Sequence, residues 1–188
     1  MALILLAGPA VEPITLAEAK LYLRVEHADD DALIGSLITA ARAHVETRIR
    51  RALITQTWRI VRDAWPRDGR ITLPIAPLRQ VVAARAFDGE GIAEPIDAEE
   101  FVVDVAAGVI GLGPWALPVP GRAVGGIEID VELGYGPTAA DVPQPLRQAT
   151  RFLLAHWYDN RGLVGAPAPG TLFATVDQLL APYRILSL

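Results

Sequence analysis

Apolar residues recur every three or four positions from Leu33 to Ile49, and this spacing is the strongest helix signal in the sequence. The aspartates at positions 29–31 precede it and arginines follow it, as the helix dipole favours. Upstream, Thr15 with Glu18 three residues later forms a capping box, which predicts a short helix reaching about Val25.

From Gln56 to about Val131 the pattern changes to alternation of apolar and polar positions, which is typical of strands. Turn pairs such as Asp68-Gly69 and Asp88-Gly89 separate the segments. We expect about five to seven strands in an antiparallel arrangement. The candidate strands span residues 57–64, 70–73, 81–87, 101–105, 109–112 and 127–133.

Helical spacing resumes between Pro143 and Gly162 and predicts a second long helix. The Ala-Pro-Ala-Pro run between Gly165 and Gly170 predicts a stiff, extended linker. After it, Thr175 with Gln178 suggests another capping box before a short helix.

These elements predict an α+β fold. We expect a helical core of two long helices with short N- and C-terminal helices, interrupted by an inserted antiparallel β segment. The predicted parts are an N-terminal helical part at 1–55, the β segment at 56–134, a C-terminal helical part at 135–165, and a linker and tail at 166–188.

Composition narrows the function classes. The 188 residues carry a net charge of -5, the wrong sign for a protein that grips nucleic-acid phosphates. There are 0 cysteines, which excludes disulfides and thiolate chemistry. No apolar run reaches the roughly 20 residues of a membrane-spanning helix, and the run from Leu3 to Ala7 lacks the preceding positive charges of a secretory signal. We expect a soluble chain without membrane contact.

Catalytic motifs are absent from the sequence. His27, His44 and His156 lack the spacing of a two-histidine zinc site, and neither serine lies in a Gly-x-Ser-x-Gly motif. We therefore expect no catalytic, cofactor or metal site. Two alternatives stay open: a small hydrolase that uses His156 with nearby carboxylates, or a ligand-binding module formed by the β segment.

The C-terminal tail carries more large apolar side chains than water tolerates. Either it folds back on its own core or it docks on another subunit, and the proline-rich linker favours docking. The residues are Phe173, Val176, Leu179, Leu180, Tyr183, Ile185, Leu186 and Leu188.

Three motifs in order resemble the tailed-phage head-tail connector (adaptor) proteins, as found in phages, prophages and gene transfer agents. The first runs from Pro13 to Arg24 and leads through an acidic spacer into the helix from Asp31. The others cover residues 142–161 and 179–184. Together they span both helical parts and the tail.

This resemblance implies a structural, non-enzymatic role in the neck of a virion or phage-like particle assembled in the bacterial cytoplasm. Members form a ring, usually a dodecamer, below the portal protein; the ring extends the DNA channel and receives a stopper or tail terminator. DNA would pass without tight binding, which suits an acidic chain. A C-terminal segment commonly reaches the portal. The implied portal-binding residues are Phe173, Val176, Leu179, Leu180, Tyr183, Arg184 and Leu186.

Truncation tests the assignment of the tail. A chain that ends at Gly170 should stay folded yet no longer attach to heads, because the docking anchors are gone. Circular dichroism would report folding and co-sedimentation with heads would report attachment. Attachment by the truncated chain would contradict this interpretation of the tail.

Overall fold

The computed structural model describes residues 1–113, 117–160 and 170–185, and the chain divides into two compact units. The first, here called the β unit, comprises Met1–Ala10 and Thr55–Tyr135. The second, the helical unit, comprises Val11–Ile54 and Gly136–Leu188. Each unit is therefore assembled from two stretches that are distant in sequence.

The described residues of the β unit form two antiparallel sheets. The larger has the strand order β1-β2-β8-β4-β5 and the smaller has the order β3-β7-β6. The strands are β1 (Ala2–Ala7), β2 (Gln56–Arg62), β3 (Arg70–Thr72), β4 (Leu78–Phe87), β5 (Ala93–Ile96), β6 (Phe101–Asp104), β7 (Val109–Leu112) and β8 (Ile127–Leu133).

Strand β8 lies at the centre of the larger sheet and shows why this segment forms a strand. Its four odd-numbered residues, from Ile127 to Leu133, are fully buried apolar side chains. Its even-numbered residues are acidic and point to the other face. There Asp130 accepts from the Arg59 guanidinium of β2 at 2.7 Å, a contact that raises the pKa of Arg59. The alternation thus separates a dry core face from a charge-paired face.

In the part of the helical unit that the structure describes there are four helices: α1 (Leu16–Leu23), α2 (Asp31–Ile49), α3 (Gln144–Asp159) and α4 (Gly170–Leu180). The capping box predicted at Thr15 is present, with both of its reciprocal hydrogen bonds to Glu18. Buried side chains of α1, α2 and α3 pack together next to it. This core cluster consists of Ile14, Ala19, Ile34, Ile38, Leu154 and Tyr158.

The predicted fold class, two long helices interrupted by an inserted β segment, is wrong. Across residues 1–113, 117–160 and 170–185, the structure has four short helices, of 8, 19, 16 and 11 residues, and eight strands in two antiparallel sheets. The first strand precedes every helix and pairs with β2, where Leu3 stands opposite Ile60. That pairing joins residues distant in sequence, which local periodicity does not encode.

Two local predictions also differ from the structure. Strand β5 was not predicted, because it has only 4 residues and contains Pro95. Helix α4 begins at Gly170 rather than after a capping box at Thr175, which lies inside the helix. The predicted linker falls largely on residues 161–169, outside the described residues.

Arg24 caps the C-terminal end of helix α1 and adopts a left-handed conformation with φ of 58°. A residue with a Cβ pays for this conformation, whereas glycine adopts it freely. Arg24→Gly should therefore raise the free energy of unfolding by about 0.5–1 kcal/mol. Urea denaturation measures the change. Arg24→Ala is the matched control, since it removes the same side chain but keeps the Cβ; an equal gain in both variants would contradict the conformational explanation.

Candidate functional site

Arg147 of helix α3 connects two of the sequence motifs directly. Its Nε donates to the carbonyl oxygen of Pro13 at 2.9 Å, and its Nη2 donates to Glu18 Oε1 at 2.7 Å. Glu18 also accepts from the Thr15 backbone N–H, and this bond, together with Arg147, holds the pKa of Glu18 below its usual value. The start of α1 is thereby tied to α3.

A second link joins α3 to the beginning of α2. The Tyr158 hydroxyl, near the end of α3, donates to Asp30 at 2.5 Å, and Asp30 directly precedes α2. Lys20 of α1 contacts Asp31 in the same region at 2.5 Å. The acidic run before α2 therefore makes specific side-chain contacts in addition to favouring a helix start.

The predicted portal-binding residues lie on α4 and just after it. Val176 and Leu180 are buried within the helical unit, where α4 packs against α3 and α2. Phe173 places its ring edge-on to the ring of His156, with centroids 6.2 Å apart. This part of the tail therefore folds back onto its own unit. The proline-rich linker had instead favoured docking on another subunit.

An ion-pair network fixes the exposed side of α4. Asp177 accepts from Arg48 of α2 at 3.0 and 3.1 Å and from Arg184 at 2.7 Å. The hydrogen bonds from Arg48 contribute most to lowering the pKa of Asp177, and Arg184 adds to the effect. The carboxylate thus links α4 to α2 and to the segment that follows α4.

The chain after α4 lies against the end of α2. Arg51 donates from Nε to the carbonyl oxygen of Tyr183 at 2.6 Å. The backbone N–H of Ile185 donates to the carbonyl oxygen of Ile49 at 3.1 Å. Ile49 is the last residue of α2, so the tail satisfies a carbonyl that a helix end leaves unpaired.

Four of the seven predicted portal-binding residues keep part of their surface in solvent. Phe173, Leu179, Tyr183 and Arg184 are half-buried and lie within the same short segment. They form what we call the tail surface. Leu186 lies outside the described residues.

The polar and aromatic residues at the end of α3 have structural partners. His156 contacts Phe173 and hydrogen-bonds with Asn160, whose side chain also donates to the His156 carbonyl. Trp157 lies edge-on to His44, with ring centroids 5.9 Å apart. Arg161 lies outside the described residues. These contacts brace the helical unit and give no support to the hydrolase alternative.

The β unit contains a shallow cleft of about 240 Å³ beside strand β5. Glu94, Asp97 and Glu100 line it together with apolar residues, and Asp97 caps a short 3-10 turn by accepting from the Glu99 N–H.

Within residues 1–113, 117–160 and 170–185, no three acidic, histidine or cysteine side chains are grouped to hold a metal ion. None of the helices in these ranges is long and apolar enough to cross a membrane.

Strand β1 was not predicted from the sequence, and neither was the exposure of its apolar side chains. Ile4, Leu5 and Leu6 are each between 43% and 49% exposed, on an edge strand that pairs with β2. The uninterrupted apolar run from Ala2 to Ala7, followed by Gly8 and Pro9, was the signal that could have indicated a strand.

Residues 13–86 match the family model for the phage gp6-like head-tail connector protein. This range covers α1, α2 and the first three strands that follow them. No curated protein sequence matches the chain.

Solved structures of gene transfer agent particles contain similar chains. One belongs to the virion of a native particle, with a TM-score of 0.82 and 30% sequence identity over 100% of this chain and 97% of that one. A chain in the neck of an empty particle, computed with C6 symmetry, gives the same values. A chain in the neck of a native particle, computed with C12 symmetry, has a TM-score of 0.80 at the same identity and coverage.

Asp177→Asn should loosen α4, because a neutral amide replaces the carboxylate that pairs with two arginines. Since the folded-state pKa of Asp177 is lowered, its contribution is present above the usual aspartate range and is lost as pH falls through the folded pKa. The protection factors of the α4 amides, which correct for the intrinsic exchange rate at each pH, should be lower in the variant at neutral pH. As pH falls, they should decrease less in the variant than in the parent chain.

Asp29→Asn is the control, since the Asp29 side chain is 95% exposed. It should leave α4 exchange unchanged. Equal protection of α4 in the Asp177 variant and the parent chain would contradict the role of this ion pair.

Proposed function

Because the chain belongs to the family of phage gp6-like head-tail connector proteins, we propose that its copies form a ring of twelve in a particle neck. The protein is a structural adaptor that joins head to tail. The observation that carries the proposal is the similarity over the whole chain, both units included, to chains of a particle neck with twelvefold symmetry.

The tail surface is the proposed contact with the portal protein. Leu179 and Tyr183 present partly exposed large side chains there, and Arg184 adds a cation. Tryptophan, tyrosine and arginine are enriched among the few side chains that supply most of the binding energy of protein interfaces. Asp177 holds Arg184 in place, so this surface is ordered before a partner arrives. Val176 and Leu180 support it from within.

The ring would extend the DNA channel and offer its other end to a stopper or tail terminator. We propose that DNA passes without tight binding, because a chain of net charge -5 repels phosphates. We also propose a non-enzymatic role, since the family and the similar chains are structural virion components. Assembly would take place in the bacterial cytoplasm.

Deletion of the gene in the producing cell tests the function. Cells without the chain should accumulate DNA-filled heads and separate tails, because the adaptor between them is missing, and complementation should restore joined particles. Electron microscopy distinguishes the two outcomes. Normal joined particles from the deletion strain would contradict the adaptor function.

The tail surface is tested by Leu179→Asp, which places a charge on the proposed contact while Val176 and Leu180 stay in place. We expect attachment to heads to weaken by at least about tenfold, the loss of roughly 1.4 kcal/mol or more that an interface anchor carries. Gln178→Asp is the matched control, because it introduces the same charge at the neighbouring exposed position of α4.

Both variants should unfold at the same urea concentration as the parent chain to within a small margin. This comparison separates a loss of binding from a loss of fold. Attachment of the Leu179 variant at the level of the Gln178 variant would contradict a portal contact through α4. Deletion from Gly170 is less informative, since it also uncovers the core that Val176 and Leu180 cover.

A further inference from the structure

The N-terminal 22 residues carry more than half of the large apolar side chains that are exposed within the described residues. Single exposed apolar residues are ordinary on protein surfaces, but a concentration of them marks a contact site. The residues are Met1, Ile4, Leu5, Leu6, Val11, Leu16, Leu21 and Tyr22.

Strand β1 exposes apolar side chains on both of its faces. Leu5 stands opposite Trp58 and so lies on the face of the sheet that carries the buried core. Ile4 stands opposite Arg59 and lies on the charge-paired face. Both side chains are about half exposed, so within the described residues neither face of this strand is fully covered.

The two edges of the larger sheet differ in how they are protected. At one edge, β5 has only 4 residues and contains Glu94 and Pro95, features that prevent further strand pairing. At the other edge, β1 has 6 residues and carries no charge and no proline. One edge of the sheet is thus protected against pairing, whereas the opposite edge at β1 is apolar and unprotected. This difference indicates that β1 is covered in the assembled state.

Helix α1 exposes a second apolar surface. Leu21 is 82% exposed, and Ala17, four residues earlier, lies on the same side of the helix. Leu16 is next to Ala17 and is also exposed. Lys20 contacts Asp31, so its charge is already paired. Leu16, Ala17 and Leu21 are therefore exposed apolar residues of α1 that a partner could cover.

We propose that β1 of one copy packs against helix α1 of the next copy in the ring. This inference rests on the proposed ring. Cyclic symmetry places two different faces of the chain in contact, so one apolar surface needs an unlike partner. The β1 and α1 surfaces are two such faces, and both expose large apolar side chains. The protected edge at β5 disfavours a continuous sheet running from copy to copy.

Cysteine cross-linking tests the contact cleanly, because the chain has 0 cysteines of its own. Leu5→Cys and Leu21→Cys would be placed in separate chains with different tags and expressed together in cells that produce particles. Purified particles would then be treated with a short bismaleimide. We expect a covalent heterodimer that carries both tags, and no homodimer from particles that contain either variant alone.

A control pair keeps Leu21→Cys and moves the other cysteine to Val124, which is 80% exposed in the β unit. This pair should give no heterodimer. Dimers from Leu5→Cys alone would show that β1 strands meet each other, and a cross-link from Leu5→Cys to a different neck protein would identify another occupant. Either result, or particles without any cross-link, would overturn the proposal.

A charge substitution gives a second readout that does not depend on cross-linking. Leu5→Asp should leave the fold intact but exclude the chain from particles, whereas Val124→Asp should enter them normally. Normal incorporation of the Leu5 variant would overturn the β1 contact and leave the adaptor function standing. Absence of the parent chain from particles would instead overturn the proposed function, and the contact with it.

Discussion

The guanidinium of Arg147 is buried in the helical unit, and the arrangement of that unit depends on how its charge is satisfied. A buried cation is costly unless hydrogen bonds and an opposite charge surround it. The Pro13 carbonyl accepts a hydrogen bond and Glu18 supplies the opposite charge. Both residues lie at the start of α1, in the first of the two stretches that form the helical unit. The contact therefore joins two stretches of the helical unit that residues 55–135 separate in sequence.

The same principle applies where α4 meets α2 in the helical unit. Asp177 is held between Arg48 and Arg184, and the segment after α4 closes over the end of α2. Motifs that are far apart in the sequence are thus structural partners: Arg147 with Glu18, Tyr158 with Asp30, and the tail with α2. In an adaptor, such fixed contacts keep the helical unit ordered, so that binding energy is not spent on ordering its partner surface.

Local patterns predicted the elements better than their arrangement. The alternation of β8 and the capping box at Thr15 reflect contacts between neighbouring residues, and both predictions are confirmed. Strand β1 has no alternation, because both of its faces expose apolar residues, and β5 is too short and proline-bearing to show a period. The predicted fold class was wrong because the pairing of β1 with β2 is a long-range contact, which local patterns do not encode. The position of the tail depends on the packing of Val176 and Leu180 against α2 and α3, and no local sequence pattern predicts that packing.

The central claim is that this chain forms a closed ring in the neck of a particle, and imaging of that neck tests it most directly. An averaged electron cryomicroscopy map of particles from the producing cells should show a ring of twelve copies, with the helical and β units of each copy recognisable in the density. A neck whose density accommodates no copy of this chain, or holds it outside any ring, would contradict the account.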